Sequence, residues 1–213
     1  LSLGEVASGN VILAFDKWFK EQFMAPGAEW TGESIRNSWE DIIYSMNQKI
    51  KEYGASQGVE MGTTITAVLF LKDKYYAIHV GDSRLYELSD GCRQITEDQT
   101  LIARELAQGI ITKEQALTDS RRNVLLQCIG VTQKLLPAFY SGNINGEAAY
   151  LVCSDGFRHV ITPDEIYQLC RPLQNLTQKV MQVNLTSLVE RVKQRGERDN
   201  ISAVLIQVGR ETC

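Results

Sequence analysis

The chain has 213 residues, 44% hydrophobic and 23% charged, with a net charge of −4, which suits a globular domain with a sizeable core and disfavours nucleic acid as the main partner. No apolar run nears the roughly 20 residues of a membrane span, and no basic-then-apolar leader is seen, so no membrane partner is expected. The five scattered cysteines (Cys92, Cys128, Cys153, Cys170, Cys213) contain no C-x-x-C, which disfavours a disulfide framework or a zinc site and fits a reducing, cytoplasmic setting.

In chain order, residues 5–23 place Val11, Phe15, Trp18, Phe19 and Phe23 at helical spacing, and residues 34–53 do the same with Ile35, Trp39, Ile42, Ile43, Met46, Ile50 and Tyr53. Two long amphipathic helices are predicted, the second closed by Gly54. Segments 63–71, 75–80, 84–88 and 92–96 then read as a meander of four short strands, with Ser89-Asp90-Gly91 as a hairpin turn. Helix is expected again from Glu97 to about Asp119, where Thr112 and Gln115 have capping-box spacing. Residues 136–146 have loop character and 147–154 read as a strand. Thr162-Pro163-Asp164-Glu165 starts a helix by both a capping box and an initial proline. A helix over 176–195 closed by Gly196 and a strand over 200–208 complete the chain. The N-x-T triplets at Asn175 and Asn184 are read as chance rather than glycosylation acceptors. With no repeat or linker, residues 1–213 form a single domain. Strands that arrive as hairpins favour an α+β fold of antiparallel sheets covered by helices.

Three carboxylates stand at the ends of apolar strands: Asp82 after "AIHVG", Asp155 after "YLVCS" and Asp199 before "NISAVLIQV". If those ends meet on one rim, the like charges need a cation between them. An all-oxygen set suits a hard divalent ion, Mg2+ or Mn2+. Gly81 and Gly156 would let backbone approach closely. Any one of these aspartates alone is more often a turn former; only the triple coincidence speaks for a metal.

The segments "MGTT" (61–64), "HVGDSRLY" (79–86), "SRRNVLLQCIG" (120–130), "LVCSDGF" (151–157) and "RDNISAVLI" (198–206) come in this order, and "GEVAS" (4–8) opens the first helix. Together they resemble the metal-dependent protein serine/threonine phosphatases of the 2C type, in their compact bacterial form. The resemblance implies an αββα sandwich of two antiparallel sheets flanked by helices, binding two or three Mn2+ or Mg2+ ions at one rim. It implies hydrolysis of phosphoserine and phosphothreonine by a metal-activated water, on phosphoproteins made by an opposing Ser/Thr kinase. By motif position Asp155 and Asp199 match ligands of the catalytic ions. Asp82 matches a ligand of a third, weaker ion shared with Asp155. Asn200 would orient Asp199, Gly156 would support the turn, and "MGTT" would be structural. Residues 97–119 match a flap beside the substrate groove.

Departures accompany the resemblance. The family's Asp-Gly-x-Gly-Gly segment, whose aspartate bridges both catalytic ions, and an upstream arginine that holds phosphate should precede "LSLGEVAS". The expectation is therefore a domain lacking its N-terminal strands and inactive as the isolated chain. Where the family often has a carboxylate after "SDG", Arg158 and His159 stand here. His159 is either a general acid or a loop residue; His79 reads as a packed strand residue, Arg84 as an ion-pair partner and Cys153 as inert core. Arg121 and Arg122 either bind phosphate or solvate the flap. Two further functions stay open: a pseudophosphatase that binds or regulates without hydrolysis, and a hydrolase of another phosphoester.

Overall fold

The computed structural model describes residues 3–144, 146–172 and 177–209. Asn175 and Cys213 lie outside the described residues. The chain divides into two compact units, each assembled from three stretches: unit 1 from Leu1–Leu69, Tyr76–Gly81 and Asp98–Ser141, and unit 2 from Phe70–Tyr75, Asp82–Glu97 and Gly142–Cys213.

Unit 1 begins with α1 (Leu3–Trp18), which runs into a π-helical turn over Phe19–Phe23, and α2 (Gly32–Ser56). Thr31 caps α2 by accepting the Ser34 N–H, and the buried stripe Ile35, Trp39, Ile43, Met46 and Ile50 follows the predicted spacing. The Trp18 ring meets Trp30 and Trp39 edge-on at centroid distances of 5.2 and 5.7 Å. The helix does not stop at Gly54: it passes through to Ser56. Gly54 is buried instead, where a Cβ would lie 2.7 Å from the Val59 carbonyl oxygen.

The predicted meander is divided between two sheets. Strands β1 (Ile65–Leu71) and β2 (Lys74–Val80) turn at Lys72, whose φ is 55°, and join a three-stranded sheet. Strands β3 (Arg84–Leu88) and β4 (Cys92–Gln94) belong to a separate four-stranded sheet. The chain leaves the first sheet at Gly81, with φ of 113° and a position where a Cβ would lie 2.3 Å from Thr64 Cγ2. The Gly81 carbonyl accepts from the Gln99 N–H at 2.8 Å and lies 2.9 Å from His79 Nε2. A carbonyl can only accept, so Nε2 carries the proton. The Thr66 hydroxyl lies 2.9 Å from His79 Nδ1. Fully buried His79 thus braces the turn from within the strand. The segment Glu97–Asp119 holds two short helices, α3 (Leu101–Ala107) and α4 (Lys113–Thr118), the second with the expected Thr112–Gln115 box. "MGTT" pairs through Thr63 with Ile129, each donating its N–H to the other at 2.9 Å, a structural role. Residues read as a loop contain β5 (Ala138–Asn143), which completes the order β1-β2-β5.

In unit 2, β6 (Ala148–Cys153) runs antiparallel between β3 and β7 (Ala203–Val208), giving the order β4-β3-β6-β7. The last strand starts at Ala203, three residues later than predicted. One face of this sheet buries Leu88, Leu151 and Leu205 against Phe157, Ile166 and Leu188. Those partners come from α5 (Asp155–Arg158), α6 (Pro163–Cys170) and α7 (Gln178–Gln194). Burial pushes the Cys153 and Cys170 thiols up to about 12, so both stay protonated as inert core. Among the described residues no helix is long and apolar enough to cross a membrane.

Glu165 ties α6 to α7. It accepts the Thr162 N–H at 3.0 Å as half of the capping box and also takes Arg195 Nη1 at 2.8 Å and Arg191 Nη1 at 3.0 Å. The Arg195 hydrogen bonds, then the Thr162 N–H, hold its carboxyl well below the usual carboxylate range. A depressed folded pKa adds stability above the unfolded value near ~4.3 and loses it as pH falls through the folded pKa. Glu165→Gln should therefore lower Tm at pH 7 and converge with the parent protein in acid, read by thermal melts across pH. Gly81→Ala should cost roughly 2–4 kcal/mol through backbone strain and overpacking, while Gly91→Ala, facing open space, should stay within about 0.5 kcal/mol; urea unfolding measures both.

Candidate metal centre

Strand register brings the three aspartates to one end of one sheet. In unit 2, Arg84 of β3 and Ala203 of β7 both pair with Cys153 of β6. Asp82 lies two residues before Arg84, Asp155 two residues after Cys153, and Asp199 four residues before Ala203. Antiparallel neighbours end at the same side, so all three leave the sheet together.

Side chains extend the β6–β7 ladder beyond its last strand pair. Ser154 N–H donates to the Ser202 carbonyl at 3.0 Å, and the Ser202 N–H returns to Ser154 Oγ at 3.0 Å. The Ser154 hydroxyl donates to the Asn200 carbonyl at 3.1 Å. This stitch presses the Asp155 turn against the Asp199 loop at Gly156, where a Cβ would lie 2.6 Å from the Asn200 carbonyl oxygen and 3.2 Å from Asp199 Cβ. Asp155 Oδ1 accepts the Gly156 N–H at 2.8 Å, and Asp199 Oδ1 accepts the Asn200 N–H at 2.7 Å. Asn200 therefore touches Asp199 through its backbone rather than its amide. Phe157, fully buried, anchors the turn in the core.

Charged neighbours finish the rim. Arg158 Nη2 lies 3.3 Å from Asp82 Oδ2 and 3.1 Å from the Asp82 carbonyl oxygen. His159 is no free loop residue: its Nδ1 is 3.1 Å from Glu197 Oε2 and its Nε2 3.8 Å from Asp155 Oδ2. Glu197 escaped the sequence reading, although it sits two residues before Asp199. Its Oε1 accepts the N–H groups of Arg198 and Asp199 at 2.8 and 2.9 Å. The Asp199 N–H is the largest cause holding its carboxyl below the usual range, and His159 adds to it. One short network thus runs Asp155–His159–Glu197–Asp199.

Asp155 and Asp199 offer only oxygen donors, side by side at an accessible sheet end, a set that fits a hard divalent ion. Asp82 differs, because its carboxylate already faces a guanidinium. Among the described residues no group of three or more His, Cys, Asp or Glu is drawn together tightly enough to hold an ion. Asp82 is thus ion-paired with Arg158 at the sheet end that also carries Asp155 and Asp199. On the segment 97–119 side, in unit 1, Arg121 is engaged by Asp119 at 2.8 Å and Glu105 at 2.9 Å, while Arg122 is exposed on the same turn.

No protein-family profile matches the chain. It is 29% identical over 207 residues to the serine/threonine phosphatase stp of Listeria innocua, covering 96% of this chain and 79% of that protein. The solved structure of the Mycobacterium tuberculosis serine/threonine phosphatase PstP/Ppp matches with a TM-score of 0.80 at 26% identity, covering 97% of this chain and 83% of that one. The catalytic domain of PstP in complex with two manganese ions matches with a TM-score of 0.75 at 26% identity, covering 95% and 80%. The α+β fold of two antiparallel sheets with flanking helices matches the fold of solved PPM phosphatases. In sequence and fold the chain is similar to the bacterial PP2C-type serine/threonine phosphatases.

Gly156→Ala would insert a methyl group against backbone that cannot rotate aside. It should destabilise unit 2 by about 1–3 kcal/mol, measured by urea unfolding, and should raise hydrogen exchange at the Asn200 and Ser202 amides.

Proposed function

We propose that residues 1–213 belong to one phosphatase domain that, in the whole gene product, hydrolyses phosphoserine and phosphothreonine in phosphoproteins, opposing a Ser/Thr kinase in the cytoplasm. The observation that carries this reading is the Ser154 stitch, which fixes Asp155 beside Asp199 at one sheet end. The manganese-bound PstP structure, which shares the fold, supports Mn2+ or Mg2+ as the ion. In this reading Asp155 and Asp199 hold the divalent ions. When bound, such ions lower the pKa of a coordinated water and clamp the phosphoryl charge. The chain's own residues keep the rim in register: Gly156 and Asn200 hold one oxygen of each aspartate by a backbone N–H. His159 and Glu197 fix the approach of the Asp199 loop to the Asp155 turn. Ordering the rim in advance lessens what must reorganise when a phosphate enters.

A second reading, a binding module without hydrolysis, draws support from Arg158 standing on the third carboxylate. Phosphopeptide hydrolysis by the whole gene product separates the two. The phosphatase reading expects turnover that needs Mn2+ or Mg2+ and stops with chelator. It also expects a loss of about 10²–10³-fold in kcat/KM for Asp155→Asn, the scale on which one electrostatic stabiliser acts. Turnover indifferent to chelator would sink the reading; phosphopeptide binding without turnover would establish the binding module.

A further inference from the structure

Asp82 is a carboxylate with little water around it. The residue is 8% exposed, and in the Asp82–Arg158 pair the Arg158 and Asp82 side chains are 13% and 11% exposed. A charge this buried is costly unless paired and hydrogen-bonded. Arg158 Nη2 supplies both, reaching the carboxylate at 3.3 Å and the carbonyl of the same residue at 3.1 Å. The Arg158 backbone belongs to the turn that carries Asp155. Arg158 is the last residue of α5, Asp155 is the first, and Phe157 between them is fully buried. An ion seeking Asp82 would have to displace a guanidinium that is itself largely buried.

We propose that Arg158 is a built-in cation that takes the place of a metal ion at Asp82. The inference rests on the reading of Asp155 and Asp199 as the metal-holding pair. It makes Asp82 a structural anion and Arg158 the residue that sets how many ions the centre takes. A hard divalent ion needs six or more oxygens at close range; a guanidinium needs only acceptors in its plane. Substituting one for the other fixes the rim without a third ion and makes its occupancy independent of metal concentration.

The test is Mn2+ stoichiometry by equilibrium dialysis on the whole gene product, with folding followed by circular dichroism. Arg158→Gln, close in size but neutral, should bind one more Mn2+ per chain than the parent. Adding Asp82→Asn to it should remove that ion. Asp82→Asn alone should leave the parent stoichiometry unchanged, and this arm decides the matter should Arg158→Gln fail to fold. A folded Arg158→Gln with unchanged stoichiometry overturns the proposal, as does loss of an ion in Asp82→Asn alone. A parent that binds no Mn2+ beside an Arg158→Gln that gains one at Asp82 overturns the Asp155–Asp199 reading and upholds the role of Arg158. No Mn2+ bound by either overturns both.

Discussion

The rim depends on one constraint: the Asp155 turn and the Asp199 loop, each carrying a carboxylate, must be held against each other. Like charges at close range repel, and a flexible loop would swing one away. The Ser154–Ser202 and Ser154–Asn200 hydrogen bonds prevent this by carrying the β6–β7 ladder past the last paired residues. Each such bond contributes only about 0.5–1.5 kcal/mol net, but they act on backbone already aligned by six paired residues of β6 and β7. Phe157 adds the other anchor by burying its ring beneath the turn. The aspartates are placed by neutral hydrogen bonds and apolar burial, so their charge stays available.

Cationic and acidic neighbours then decide what each carboxylate can do. Asp82, nearly buried, meets Arg158. Asp155 faces His159, which leans on Glu197, whose other oxygen holds the Asp199 backbone. The two arrangements have different consequences. An ion pair with a guanidinium offsets the charge of Asp82, whereas backbone N–H groups occupying one oxygen each leave Asp155 and Asp199 able to accept more. Residues equivalent in sequence pattern become unequal through partners that lie 76 residues away in one case and one residue away in the other.

Much of this architecture is readable in the sequence. Periodicity marks α1, α2 and α7, the Thr112 and Thr162 boxes mark two helix starts, and apolar runs ending on Asp82 and Asp155 mark the rim. Two of the features that escape depend on a contact distant in sequence, and a third leaves no pattern to read. β5 looks like a loop because Ser141-Gly142-Asn143 reads as a turn, yet Gly142 is there because the Tyr75 ring fills the space a Cβ would need, 2.6 Å away. Arg121 reads either as a phosphate ligand or as a solvated flap residue, and the sequence does not show that Glu105 of α3 meets it. Glu197 gives no signal beyond its nearness to Asp199, since a carboxylate accepting two consecutive N–H groups has no spacing of its own.

The letters Ser-Asp-Gly occur twice, and the contrast shows why a local motif cannot carry a functional assignment. At 89–91 they close the hairpin between β3 and β4; Ser89 N–H bonds the Gly91 carbonyl at 3.2 Å and Asp90 is exposed to water. At 154–156 the same letters end a strand and open a helix. The next residue in the chain makes the difference. Cys92 continues into a strand paired with β3, so the first turn folds back on its own sheet. Phe157 instead drops fully into the core beneath β6, which forces the backbone to wind and turns Asp155 outward toward Asp199. A buried aromatic three residues after the serine therefore does more than the acidic letter itself to make one aspartate a rim residue and the other a solvated turn. An aspartate in such a turn gains a role only where the next apolar side chain pulls the turn over a core and a neighbouring strand ends beside it.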